Sequence, residues 1–233
     1  MVDGWADPGP GRPTVPGVDE VDLWLVDLDG PAGPAGEGSL SAGERERAAR
    51  FRSAEDGRRW TAARWALRGI LGATVGVAPA ELDVVAGPGG KPALAGATAG
   101  TVRFNLSHSG DLALVAVAVH REVGVDVELV RSGLDEPALA RLAFGEDAAA
   151  ALAALGPDDR RSEFFRRWVR HEAAVKCRGT GLGAGPVDLT DLEVREVVVD
   201  EDEDERYVGA VALVVPGPGR PPVTVRRWAW SGG

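Results

Sequence analysis

Apolar and polar positions alternate loosely over Val21, Leu23, Leu25 and Leu28, with Asp22, Trp24 and Asp27 between them, which predicts a first strand closed by turn-forming residues from Gly30 to Gly38. From Ser41 the pattern becomes helical, rich in Ala, Arg, Glu and Leu. Ser41 with Glu44 three residues on has the spacing of a capping box, and the stretch to Gly72, interrupted at Gly57, predicts two helices. Strands are expected over 82–86 and 101–106, around the turn Gly87-Pro88-Gly89-Gly90-Lys91-Pro92. Leu112 to Val119 is apolar on both faces, the pattern of a central strand. Val123 to Val130 alternates cleanly, placing Val125, Val127 and Leu129 on one face and Gly124, Asp126 and Glu128 on the other. Helical stretches follow over 136–155 and 158–178, the second capped by Gly179 at the start of the glycines 179, 181, 183 and 185. The remainder reads as strands over 189–199, 207–215 and 223–230, with a loop over 216–222. This order predicts a mixed α+β fold with a Pro/Gly-rich lead-in over 1–18, an N-terminal α+β half over 19–122 and a C-terminal α+β half over 123–233.

The chain has 233 residues, 44% of them apolar, enough for a sizeable core. It carries 26 basic and 36 acidic residues, a formal charge of −10. Six of the acids form the run Asp200 to Glu205, expected at a solvated hairpin tip, and without them the charge is −4. A broad basic face for nucleic acid is therefore not expected, although Arg58-Arg59 or Arg166-Arg167 could hold a small phosphorylated ligand. Cys177 is alone, so no intrachain disulfide forms and a reducing compartment is favoured. Residues 1–18 lack the basic-then-apolar pattern of a signal peptide. The longest apolar runs, 112–119 and 148–155, fall far short of the ~18 residues that span a bilayer. The expectation is a cytoplasmic monomer with neither membrane nor nucleic acid as partner.

Three constellations carry chemistry. Asp126 and Glu128, two apart on a strand, present two hard oxygen ligands to one point, suited to Mg²⁺; a solvated polar strand face gives the same letters. Trp168, Glu172 and Lys176 fall at i, i+4 and i+8 of a helix and form one stripe, which an ordinary surface ion pair would also explain, although the Trp argues against a wholly solvated stripe. Phe104-Asn-Leu-Ser-His-Ser-Gly110 reads as a loop between two apolar strands whose N–H groups and side chains could meet phosphate oxygens, or as a plain polar turn. A serine-hydrolase reading is disfavoured: the chain has no Gly-x-Ser-x-Gly elbow, and Ser107 and His108 would point apart on a continuous strand.

In order and spacing these pieces resemble the 4′-phosphopantetheinyl transferases, and more closely the longer single-chain (Sfp-like) type that modifies carrier proteins of polyketide, nonribosomal-peptide and related synthases. The motifs are Gly90-Lys91-Pro92, Phe104 to Gly110, Gly124-Val125-Asp126-Val127-Glu128, and Trp168 to Lys176 followed by Gly179-Thr180-Gly181-Leu182, with Glu55-Asp56-Gly57-Arg58-Arg59 and Leu67-Arg68 upstream. The resemblance covers roughly residues 40 to 185. It implies a pseudo-twofold pair of similar α+β halves in one chain, with coenzyme A as substrate in the cleft between them and an apo acyl- or peptidyl-carrier protein as acceptor. It further implies Asp126, Glu128 and Glu172 as Mg²⁺ ligands, Lys176 on the pyrophosphate, and Ser107 and His108 as phosphate contacts. The 3′-phosphate would be received by His108 with Arg47 or Arg45, and Lys91 would be another contact near the nucleotide. Attack of a serine hydroxyl on the β-phosphorus of coenzyme A expels adenosine 3′,5′-bisphosphate, and Glu172 is the candidate general base.

Two positions depart from the family pattern. His171 stands where lysine is usual and, about 100° around the helix from Glu172, is expected at the margin of the phosphate site; Gly145 replaces a common Ser or Thr and is expected to affect only capping. The rival readings are a metal-dependent nuclease, which lacks a basic groove here, and an inactive coenzyme A- or carrier-binding homologue, against which the intact Asp126, Glu128, Glu172 and Lys176 argue.

Overall fold

The computed structural model describes residues 4–7, 15–30, 38–96, 99–181, 187–199, 207–215 and 221–231. The acidic run 200–205, most of the lead-in, the turn residues 31–37 and the loop residues 216–220 lie outside the described residues. The elements run β1 (Glu20–Asp27), α1 (Ala42–Ala48), α2 (Ala54–Val75), β2 (Val84–Ala86), β3 (Pro92–Leu94), β4 (Val102–Ser109), β5 (Leu112–Val119), β6 (Val123–Leu129), α3 (Glu136–Phe144), α4 (Glu146–Ala153), α5 (Pro157–Arg178), β7 (Leu192–Val197), β8 (Tyr207–Val214) and β9 (Thr224–Trp230). The fold is mixed α+β.

The two halves share a connectivity. In each, a first strand leads to helices ending in one of 22 residues, and the chain then returns, in the N-terminal half by way of the short β2–β3 hairpin, through a pair of strands, the second of which pairs antiparallel with the first strand. The N-terminal sheet has the order β4-β5-β1-β9 and the C-terminal sheet β6-β8-β7. The chain passes from β5 to β6 at His120, which has φ 52° and is, among the described residues, the one non-glycine with positive φ.

Period-two alternation builds four layers. Val21, Leu23 and Leu25 of β1 and Leu114, Ala116 and Ala118 of β5 face Val123, Val125 and Val127 of β6 in a core between the two sheets. The opposite faces of β1 and β5, with Trp24, Val26, Ala113, Val115 and Val117, pack on α2, and Ala210 and Ala212 of β8 pack under α5. β5 is apolar on both faces because both are covered, as its pattern predicts.

Several local expectations change. The α1–α2 break falls at 49–53 and not at Gly57, because the Ser53 side chain accepts from the Asp56 N–H and starts a new helix whose first turn absorbs Gly57. The predicted 136–155 helix is split at Gly145, whose φ of 92° and ψ of 177° only glycine readily adopts, and α4 begins there with no side-chain cap. The turn 87–92 closes a hairpin of β2 with β3, a three-residue strand that the pattern did not reveal, and not a pairing of 82–86 with 101–106. The Ser-His-Ser segment is strand and not loop: β4 continues unbroken to Ser109, paired with β5 from Val102↔Val119 to Ser109↔Leu112. β9, which chain order assigns to the C-terminal half, returns to the N-terminal sheet parallel to β1, with Glu20↔Thr224 and Val26↔Trp230.

Gly124 positions everything that follows. A Cβ there would stand 2.1 Å from the Ala173 carbonyl oxygen and 2.3 Å from the Cys177 nitrogen, so α5 lies directly on the β6 backbone only because residue 124 has no side chain. Gly124→Ala is expected to destabilise the fold by about 3 kcal/mol or more, since both atoms it meets are backbone. Urea unfolding of the variant against Gly43→Ala, where an added Cβ meets nothing within 4 Å, measures the difference.

Candidate functional site

β4 and β6 are edge strands of different sheets, and their edges face one another. Main-chain pairing does not join them; the side chains of β4 do. Asn105 Oδ1 accepts from the Val125 N–H at 2.9 Å, Ser107 Oγ donates to Asp126 Oδ1 at 2.8 Å, and Ser109 Oγ donates to Glu128 Oε2 at 2.8 Å while accepting from the Leu129 N–H at 3.1 Å. Asn105, Ser107 and Ser109 share one face by period two, which turns His108 the other way. The sequence pattern did not reveal the seam roles of Asn105 and Ser109, although Asn105, Ser107 and Ser109 recur at every second position, as side chains on one face of a strand do.

Over this seam opens a cleft of about 610 Å³ lined from β4, β6, α5, α1 and the 89–92 turn. Trp168, Glu172, Val175 and Lys176 of α5 face it, as the predicted stripe requires, and Gly179, in the left-handed region at φ 69°, caps the helix beneath it. Lys176 Nζ lies 2.5 Å from Asp126 Oδ1 and 2.9 Å from Ser107 Oγ. Asp126 is 2% exposed and Glu172 6% exposed. The other carboxylate oxygen of Asp126, Oδ2, is buried and has no hydrogen-bond partner among the described residues.

The charges are unbalanced. Burial first, and then mutual repulsion, raise the Glu128 and Glu172 carboxyls above their ordinary values; burial also raises Asp126, opposed by Lys176 and Ser107. Three acids thus share one cleft with one ammonium. Among the described residues no three His, Cys, Asp or Glu side chains already stand so as to share a metal ion, and Lys176 supplies the positive charge at Asp126. An orphaned anionic oxygen beside two further carboxylates is nevertheless a donor set suited to a hard divalent cation.

The structure brings Asp126, Glu128, Glu172, Lys176, Ser107, His108 and Arg47 to the cleft. Three expectations need correction. Arg45 points elsewhere: its guanidinium donates to the Leu40 carbonyl, and only Arg47 of the pair reaches the cleft. Lys91 lines the cleft with its stem, but its ammonium is spent on Glu122 Oε2 at 2.7 Å, the Val123 carbonyl at 2.9 Å and the Cys177 carbonyl at 3.2 Å. Three donors meet three acceptors, so in this structure Lys91 ties the turn to β6 and α5. His171 is not among the residues that line the cleft; its ring stands edge-on to Phe144 of α3 at 5.4 Å, and burial lowers its pKa.

Residues 122–207 match the model of the 4′-phosphopantetheinyl transferase superfamily, and residues 38–120 match that of the 4′-phosphopantetheinyl transferase N-terminal region. The chain is 39% identical over 167 residues to the 4′-phosphopantetheinyl transferase HetI of Nostoc sp., covering 70% of each chain. It is 29% identical over 180 residues to a putative 4′-phosphopantetheinyl transferase of Synechocystis sp., covering 77% of this chain and 70% of the other. Over 117 residues it is 38% identical to the 4′-phosphopantetheinyl transferase AcpT of Escherichia coli, covering 50% and 57%.

His108 gives the free cleft a measurable signature. Desolvation, then the charges of Lys176 and Arg47, lower its pKa from the ordinary 6.5. The neutral ring therefore favours the fold fully above pH 6.5, and that contribution is lost as the pH falls through the lowered value. NMR titration is expected to give a midpoint below 6.5 for His108, moving upward in Lys176→Ala.

Proposed function

The chain belongs to the 4′-phosphopantetheinyl transferases, and from that premise we propose that its cleft binds coenzyme A with the pyrophosphate over Asp126, Glu128, Glu172 and Lys176. The phosphopantetheine arm passes to a serine of an apo acyl- or peptidyl-carrier protein. The observation that carries this reading is the meeting of Lys176 with Asp126 at 2.5 Å, beside Glu128 and Glu172, on the seam between the two halves.

The orphaned Asp126 Oδ2 and the surplus of anionic charge fit a divalent cation, and Asp126, Glu128 and Glu172 would hold Mg²⁺. When bound, it supplies charge neutralisation on the pyrophosphate oxygens. Lys176, freed from Asp126, stabilises the departing phosphate oxygen. Glu172 accepts the proton of the carrier serine as its Oγ bonds to the β-phosphorus and the bond from that phosphorus to the bridging oxygen breaks, releasing adenosine 3′,5′-bisphosphate. Arg47 and His108, together on the side of the cleft nearest α1, receive the 3′-phosphate; binding there raises the proton affinity of His108 and converts it to a charged donor.

Incubated with coenzyme A and Mg²⁺, apo carrier proteins are expected to gain one phosphopantetheine unit by intact-protein mass spectrometry. Asp126→Ala and Glu172→Gln should each lower the rate by about 10²–10³. Glu193→Gln, paired to Arg195 on β7, and His171→Ala, packed on Phe144, should leave it nearly unchanged. Wild-type turnover in Asp126→Ala would remove the carboxylates from the reaction.

A further inference from the structure

A second pocket, of about 480 Å³, opens within the N-terminal half beside the cleft, and Arg47 and His108 line both. Arg47 therefore stands at the junction. Among the described residues no carboxylate pairs with it, whereas Arg64 and Arg68 of the neighbouring α2 are both held by Glu44. What Arg47 has instead is Trp60: the guanidinium carbon lies 5.5 Å from the centre of the indole, whose edge lines the second pocket.

Both members of this pair are anchored. Trp60 is 8% exposed on α2, and the Phe51 ring braces it at 5.9 Å. α1, which carries Arg47, is fixed at its start by the Ser41–Glu44 capping box and tied to α2 through Glu44, whose oxygens meet Arg64 at 2.5 Å and Arg68 at 2.6 Å. An arginine moving freely in solvent loses rotamer freedom when it grips an anion; one already laid on an indole face loses less. The ring holds the cation through its face, so the guanidinium N–H groups at the edge stay available to an incoming phosphate, which a carboxylate partner would not allow.

We propose that Trp60 is a positioning residue that holds the Arg47 guanidinium at the junction of the two pockets, and so sets how strongly the enzyme distinguishes coenzyme A from its 3′-dephospho form. This rests on the reading that Arg47 and His108 receive the 3′-phosphate. Trp60 acts through Arg47, so its effect belongs to ligands that carry a phosphate monoester at that point and is absent for those that lack it.

The test is steady-state kinetics with coenzyme A and with 3′-dephospho-coenzyme A, at saturating apo carrier protein, for the wild type and for Trp60→Leu, Trp60→Phe and Arg47→Gln. Trp60→Leu is expected to raise KM for coenzyme A about 3- to 10-fold, with kcat and the KM for the dephospho form changed less than about twofold. Trp60→Phe keeps an aromatic face and should lie between Leu and the wild type; if the Leu protein does not fold, the Phe variant decides. Arg47→Gln should lower the discrimination further than Trp60→Leu does, leaving only what His108 supplies. Equal KM increases for both ligands in Trp60→Leu would show a general structural role and overturn the proposal, as would unchanged discrimination. A wild type that transfers from both ligands equally well overturns the 3′-phosphate placement and this proposal with it, leaving the transferase reading standing. A wild type that transfers from neither overturns both.

Discussion

The structure depends on a seam between two sheet edges. β4 and β6 would each expose an open row of backbone donors and acceptors, and a buried donor left unsatisfied costs about 1–3 kcal/mol. Asn105 and Ser109 satisfy the N–H groups of Val125 and Leu129, and Lys91 closes the far side of the junction with its ammonium on Glu122, Val123 and Cys177. The β4 and β6 edges of the two stacked sheets are thereby held together at fixed register. Because Ser107 lies between Asn105 and Ser109 on the same strand face, the seam delivers its hydroxyl to Asp126 and Lys176. The site is a consequence of the way the two halves are joined.

The second constraint is the contact of α5 with β6. Gly124 lets the helix backbone descend onto the strand, which brings Glu172 and Lys176 over the face that carries Asp126 and Glu128. The price is electrostatic: three carboxylates are crowded into one partly buried cleft, and burial raises all three. One lysine does not neutralise them. A folded protein retains such an arrangement at a cost in stability, and it is suited to a ligand that brings both phosphate oxygens and the cation that accompanies them.

The sequence made the chemistry legible where it coincided with a short-range period. The alternation of Val123 to Leu129 put Asp126 and Glu128 on one face, and the i, i+4 spacing of Glu172 and Lys176 put both in the cleft, as the structure has them. It misled where tertiary contacts decided. Ser107, His108 and Ser109 have turn-like composition but lie in a strand, because the Ser107 and Ser109 hydroxyls are satisfied by β6 and not by local backbone. The return of β9 to β1 and the burial of the Lys91 ammonium are contacts between residues far apart in the chain, and no local pattern encodes them. His171 illustrates the same limit: its angle from Glu172 is fixed by the helix, but that this direction meets Phe144 follows from where α3 lies.

The central claim is that the three carboxylates hold a divalent cation against the pyrophosphate of coenzyme A while its 3′-phosphate lies apart. Phosphorus relaxation of coenzyme A bound in the presence of Mn²⁺ measures both positions at once. The account predicts strong relaxation of the two pyrophosphate nuclei, much weaker relaxation of the 3′-phosphate, and loss of the difference in Asp126→Ala. Equal relaxation of all three phosphorus nuclei, or a difference that survives in Asp126→Ala, would contradict it.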